Sequence, residues 1–309
     1  MNGRVSYIDG LRGIAALLVL AQHSLEVVYP WLFAHVNLGR FGIVLFFMIS
    51  GFVIPFGRWD SVAQFVRSRV FRLCPALWLS VAVAVVLAGG AQPATILADL
   101  AMMARPLGIP SLNGAYWTLS YELGFYAAAM VLFALGQLRN PRVVGMLALL
   151  LLYHASYGDN RFLYYACFAG GALLRMAEED GSARTWAVLT TVLLVAIAFQ
   201  HGTGVNSPPL FNDVSRRLST ALPIIIFAGA VIVRPHANAV LVWFGSISYS
   251  VYLFQGILLI PLIPLAAVSP LLFVLVGCAG TIGVAALVHR YVEQPFIAMG
   301  RQRRPIAAI

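Results

Sequence analysis

Arg12 and His23 stand eleven residues apart in a stretch that is otherwise largely apolar. At the α-helical period that separation falls about 20° past three full turns, so both side chains share one helix face, roughly 16 Å apart along its axis. A guanidinium holds phosphate by charge-assisted hydrogen bonds, and a neutral imidazole takes a proton from a hydroxyl. Gln22, Ser24 and Glu26 make the surroundings of His23 polar, and Asp9 lies three residues before Arg12. A second polar string, Tyr116-Trp117-Thr118-Leu119-Ser120-Tyr121-Glu122, brings the carboxylate of Glu122, the group type that orients an imidazole and raises its basicity. Arg69 and Arg72, three apart in Arg67-Ser68-Arg69-Val70-Phe71-Arg72, face the same way on a helix and suit a phosphate.

Each group also has a plainer reading. Arg12 serves equally as a snorkelling topology signal paired to Asp9, and His23 as a satisfied buried histidine. Glu122 fits the positive end of a helix dipole, and Arg69 with Arg72 fits the basic bias of cytoplasmic segments. His35, His154, His201 and His236 fall at loops or span ends, and His289-Arg290 reads as a helix-end anchor. Cys74, Cys167 and Cys278 sit singly in apolar surroundings with no spacing that marks a metal site.

The elements that must position these residues are membrane helices. Of 309 residues, 61% are hydrophobic and 10% charged, and the mean hydropathy is +0.88; a soluble domain carries charge on about 25%. Apolar runs suited to about 30 Å of hydrocarbon lie at 8–29, 39–57, 72–89, 115–136, 142–157, 161–177, 184–200, 217–234, 240–260 and 265–290. The expectation is an all-α polytopic membrane protein of about ten transmembrane helices, with residues 1–309 a single integral-membrane domain and the first helix retained rather than cleaved. All 20 basic residues are arginine. With a cytoplasmic N-terminus only Arg40, Arg105, Arg161, Arg216 and Arg217 fall outside, so both termini are placed in the cytoplasm. Arginines spread over many loops serve topology and exclude nucleic acid as the partner of the net charge of +9.

The fourth span runs inward, which places Trp117 and Tyr116 at the outer interface and Glu122 about two turns below it, at the depth of His23. Two longer outer connections, 90–114 and 201–216, are candidates to cover an outward-facing site. The stretch Thr95–Ala104 is too short to span and reads as a re-entrant or interfacial helix, and the tail Arg301–Arg304 as an anchor on anionic lipid.

Taken together these strings resemble bacterial acyltransferase family 3, integral-membrane enzymes that modify surface polysaccharides and related acceptors. Tyr7-Ile8-Asp9-Gly10-Leu11-Arg12-Gly13 through His23 is similar to the family's first helix, with its arginine, ten intervening residues and histidine. Phe46-Phe47-Met48-Ile49-Ser50-Gly51-Phe52, Arg69 to Arg72 followed by Pro75, and Trp117 to Glu122 resemble three further segments in the family's order. Gly245-Ser246-Ile247-Ser248-Tyr249-Ser250-Val251-Tyr252-Leu253 and Tyr291-Val292-Glu293-Gln294-Pro295-Phe296 complete the match. One departure is Gln255, where many relatives carry histidine; an amide forms hydrogen bonds but takes no proton at neutral pH.

The resemblance implies an acyl-CoA co-substrate, acetyl-CoA first, no bound cofactor, and the hydroxyl of a carbohydrate or lipid-linked sugar as acceptor, in the bacterial inner membrane. On that basis Arg12, Arg69 and Arg72 hold the donor, His23 acts as general base and Glu122 orients it. Asp9, Trp117 and Gln255 are supporting residues, and Ser120, Gln22 or a backbone amide are candidates for the oxyanion site. The rival from another class is a proton-coupled transporter or flippase, since intramembrane Arg, His and Glu also mark permeases.

Overall fold

The structure is a computed structural model describing residues 6–34, 37–57, 59–200 and 213–301. Expectations that rest on Arg4, Arg58, His35, His201, most of the 201–216 connection and Arg303–Arg304 lie outside these residues. Thirteen α-helices and no strand are found among the described residues. They are α1 (Ser6–Glu26), α2 (Leu38–Val53), α3 (Val62–Leu87), α4 (Pro93–Leu100), α5 (Trp117–Ala134), α6 (Pro141–Ala155) and α7 (Asn160–Glu179). The rest are α8 (Arg184–Gln200), α9 (Asp213–Val233), α10 (Ala239–Leu259), α11 (Ile263–Val268), α12 (Pro270–Val288) and α13 (Gln294–Arg301). Among the described residues six helical stretches, Leu38–Phe56, Val62–Leu87, Gly181–Gln200, Val214–Val233, Ala239–Val268 and Pro270–Gly300, are long and apolar enough to cross a membrane. The chain is a polytopic α-helical membrane protein. The helices bearing Arg12, Glu122 and Arg175 are outside that set of six.

Two helix ends depart from expectation. The third helix begins at Val62 instead of 72, capped by Ser61, whose hydroxyl accepts from the Gln64 amide at 3.2 Å, so Arg67, Arg69 and Arg72 lie beyond its first turn and not at its start. The last expected span is broken: Ser269 caps a new helix with Pro270 at its first position, which ends α11 and starts α12. After α12 the backbone widens into a π-turn over His289–Glu293 before α13.

The bundle is centred on α1 and α2. α1 packs along α10 and α2, and α2 packs along α7. With lipid as apolar as leucine, close packing of small residues is what holds such pairs together. A Cβ on Gly13 would stand 2.2 Å from the Leu241 carbonyl oxygen, and one on Gly245 would stand 2.0 Å from that of Asp9. The α2–α7 crossing repeats the device: a Cβ added at Gly51 would collide with the Phe168 carbonyl, and one at Gly171 with that of Met48.

The 101–116 segment folds back into the bundle. Asp99, at the end of α4 and buried, accepts from the Ser111 hydroxyl at 2.7 Å and from the Leu112 amide at 2.8 Å. Burial pushes its carboxyl above the ordinary range, and these two hydrogen bonds oppose that shift. Asn113, also buried, donates to the Leu253 carbonyl on α10 at 2.8 Å and accepts from the Ala115 amide at 3.0 Å. α5 therefore starts deep among its neighbours, with Ala115 and Tyr116 buried.

Candidate active site

Two cavities are stacked along α1. The first, about 430 Å³, is lined by Asp9 and Arg12 of α1, Arg69 and Arg72 of α3, Glu122 and Tyr126 of α5, and Arg175 of α7. Four arginines face two carboxylates there, an excess of positive charge in a partly desolvated space. Arg12 pairs with Asp9 at 3.0 Å, the i,i+3 pairing of the plainer reading, while also lining the cavity. The Arg69 guanidinium stacks over Trp59 and Tyr126, 5.5 and 5.8 Å from the ring centroids. Tyr126 donates its hydroxyl proton to Glu122, one turn away on the same helix.

The second cavity, about 1160 Å³, holds His23 together with Gln22, Glu26, Arg40, Arg105, Trp117, Ser120, Tyr121 and the 157–165 segment. His23 is open to this space, and among the described residues no hydrogen bond reaches its ring. Arg12 and His23 thus share a face of α1, as the helical period requires, yet serve different chambers.

The structure corrects the expected His23–Glu122 pair. Glu122 lies in the arginine cavity and bonds to Tyr126; it is not at the depth of His23. The physical reason is the fold-back of 101–116, which puts the start of α5 inside the bundle, so a residue five positions into that helix has already reached the other chamber. For the same reason Trp117 and Tyr116 are not interface markers. Trp117 faces the His23 cavity under the Arg105 guanidinium, 5.1 Å from its ring centroid, and Tyr116 is buried against the Ser80 hydroxyl at 2.8 Å.

The oxyanion candidates are already engaged. Ser120 donates its proton to the Met102 carbonyl at 2.7 Å. Gln22 donates to Glu26 at 2.9 Å and accepts from the Leu38 amide at 3.0 Å, which ties α1 to the start of α2. Gln255 is fully buried, lines neither cavity, and among the described residues finds no partner for its amide nitrogen or oxygen.

Arg175, on the sequence one of the arginines of the cytoplasmic bias, pairs with Glu178 at i+3 and Glu179 at i+4, at 2.9 and 2.7 Å. It nonetheless lines the first cavity with its guanidinium 5.2 Å from the Phe52 ring centroid. Tyr126 was legible as the i+4 neighbour of Glu122. Tyr252, which lines both cavities, had no local signal beyond its place in a family-like string.

Residues 5–290 match the family model described as an acyltransferase domain. The chain is 25% identical over 344 positions to Nodulation protein 10 of Rhizobium leguminosarum bv. viciae, an alignment covering 95% of this chain and 94% of that one. It is 26% identical over 302 positions to the exopolysaccharide production protein ExoZ of Rhizobium meliloti (strain 1021), covering 89% and 95%. It is 25% identical over 237 positions to the O-acetyl transferase of Shigella phage Sf6, covering 64% and 71%. No solved structure matches the chain. With the Arg12-to-His23 helix, Arg69, Arg72, Glu122 and Arg175 all inside the matched residues, this chain belongs to the acyltransferase family 3 and is a membrane O-acyltransferase.

Proposed function

We propose that the chain moves an acyl group, acetyl in the first instance, from acyl-CoA in the arginine cavity to a hydroxyl held in the His23 cavity. The observation that carries this reading is the placing of Arg12 and His23 on one face of α1 but in two chambers. Arg12, Arg69, Arg72 and Arg175 are the donor-binding groups, offering forked donors to phosphate. His23 is the general base: its neutral imidazole takes the proton of the acceptor hydroxyl as that oxygen attacks the thioester carbonyl, and the thiolate leaves. Glu26, one turn further along α1 in the same cavity, is the carboxylate whose charge acts on His23 and stabilises the imidazolium that forms. Glu122 is a positioning residue of the donor cavity, bonded to the Tyr126 ring on which Arg69 lies.

The acceptor cavity mixes arginines and carboxylates with Trp117, Tyr121 and Tyr164, a wall that suits the alternating CH faces and hydroxyls of a sugar. That chemistry agrees with relatives named for exopolysaccharide production and O-acetyl transfer. The arginine cavity faces the cytoplasm in this reading, with about ten spans, both termini inside, the bacterial inner membrane as location and one catalytic domain.

The test is release of CoA thiol from acetyl-CoA by purified protein in detergent, with a panel of sugar acceptors, wild type beside Arg12→Ala and His23→Ala. Turnover lost in both variants is expected. Absence of both turnover and acetyl-CoA binding in the wild type overturns the reading.

A further inference from the structure

Both cavities share two lining residues, Ile43 of α2 and Tyr252 of α10. At that level Val19, Ala115 and Tyr252 form a small buried cluster with Phe46 packed against it. Val19 stands seven residues after Arg12 and four before His23, so it lies on the same face of α1 between them and lines the near end of the His23 chamber. The Tyr252 ring is 7% exposed and meets Phe46 edge-on, with centroids 6.1 Å apart. Its hydroxyl is fixed at the far end, donating to the Ala115 carbonyl at 2.7 Å and standing 2.6 Å from the Thr118 hydroxyl. The Thr118 hydroxyl also reaches the Ala115 carbonyl, at 3.2 Å, so the two hydroxyls share that acceptor and either one can donate to the other. Asn113 ties the same segment to the Leu253 carbonyl, the next residue on α10, so the two elements that bear these groups hold each other.

We infer that the Tyr252 ring is the partition between the two chambers, closing the passage to water and protons and setting the aperture through which the acyl group reaches His23. The inference rests on the reading of the chambers as donor and acceptor sites. A chain that draws a donor from one side of a membrane and modifies an acceptor on the other must not leave a continuous water path, since that would dissipate the transmembrane potential. Here the boundary around Tyr252 carries Phe46 on the arginine side, Val19 on the His23 side and Ile43 on both, and an apolar constriction sheds its water. A donor arm running from Arg12 toward His23 must therefore displace a ring held by two hydrogen bonds.

The test uses purified protein in liposomes loaded with a pH-sensitive dye and given a pH step, with no acyl-CoA present. Wild type is expected to be tight, and Tyr252→Ala to equilibrate at least about tenfold faster, a barrier lower by roughly 1.4 kcal/mol. Tyr252→Phe keeps the ring and is expected to stay nearer wild type than alanine. Tyr252→Leu carries the same test should the alanine variant fail to elute as a folded species. Proton entry at the wild-type rate in the folded Ala or Leu variant overturns the partition, and equal leak in Phe and Ala overturns the role of the ring. In turnover assays the ratio of octanoyl-CoA to acetyl-CoA use is expected to rise in Tyr252→Ala, and an unchanged ratio overturns the aperture. Loss of the acyl-transfer reading would show as no thiol release by wild type and would leave the dye result untouched, so the two failures are distinguishable.

Discussion

His23 and Glu122 belong to different chambers: the imidazole opens to the larger cavity, and the carboxylate is bonded to Tyr126 on the wall of the smaller, arginine-lined one. A carboxylate that oriented the base would have to share its chamber. On the proposed reading the two residues act at different stages, one on the acceptor hydroxyl and the other on the seat of the donor.

From this separation, Glu122→Gln is expected to lower kcat by about 10- to 100-fold through a misplaced donor while leaving the pH–rate profile where it is. His23→Ala is expected to abolish transfer while the protein still inserts in the membrane. Measuring both profiles decides it; a displaced limb in Glu122→Gln would show that its charge acts on His23 after all.

Arg175 is held by Glu178 and Glu179 and points its guanidinium into the arginine cavity. Arg175→Ala is expected to raise the KM for acetyl-CoA about tenfold, equivalent to roughly 1.4 kcal/mol of uniform binding, with kcat little changed. A KM equal to wild type would assign this arginine to topology alone.

The glycine crossings set how near the helices approach. Gly245→Ala would drive a methyl into the Asp9 backbone, and overpacking of this kind costs about 1–3 kcal/mol or more. Gly229→Ala on α9, where nothing stands within 4 Å of the added carbon, is the internal control and is expected to be neutral or slightly stabilising. Thermal melts in detergent compare them; equal melting temperatures would remove the argument for close packing.

Asp99 fastens the segment that sets the depth of α5. Asp99→Ala leaves the Ser111 hydroxyl and the Leu112 amide without their acceptor, at a cost of about 1–3 kcal/mol. New protease cleavage within 101–116 is expected, along with loss of acceptor turnover. An unchanged digestion pattern would mean that the Asn113 bonds to Ala115 and α10 suffice by themselves.

The sequence by itself determined the class and the local faces. Composition demands membrane helices, the apolar stretches fold as α-helix apart from the break at Ser269, and the period of 3.6 puts Arg12 and His23 on one side of α1 wherever that helix sits. Those properties come from neighbours a few residues apart, which a sequence displays directly. Tertiary structure alone decided depth and partnership. Glu122 was placed by counting from an assumed interface, but the level of α5 is set by Asp99 and by the bond from Asn113 to Leu253, residues separated by 140 positions. Tyr252 divides the chambers for the same reason, since its bonds to Ala115 and Thr118 join segments that no periodicity relates.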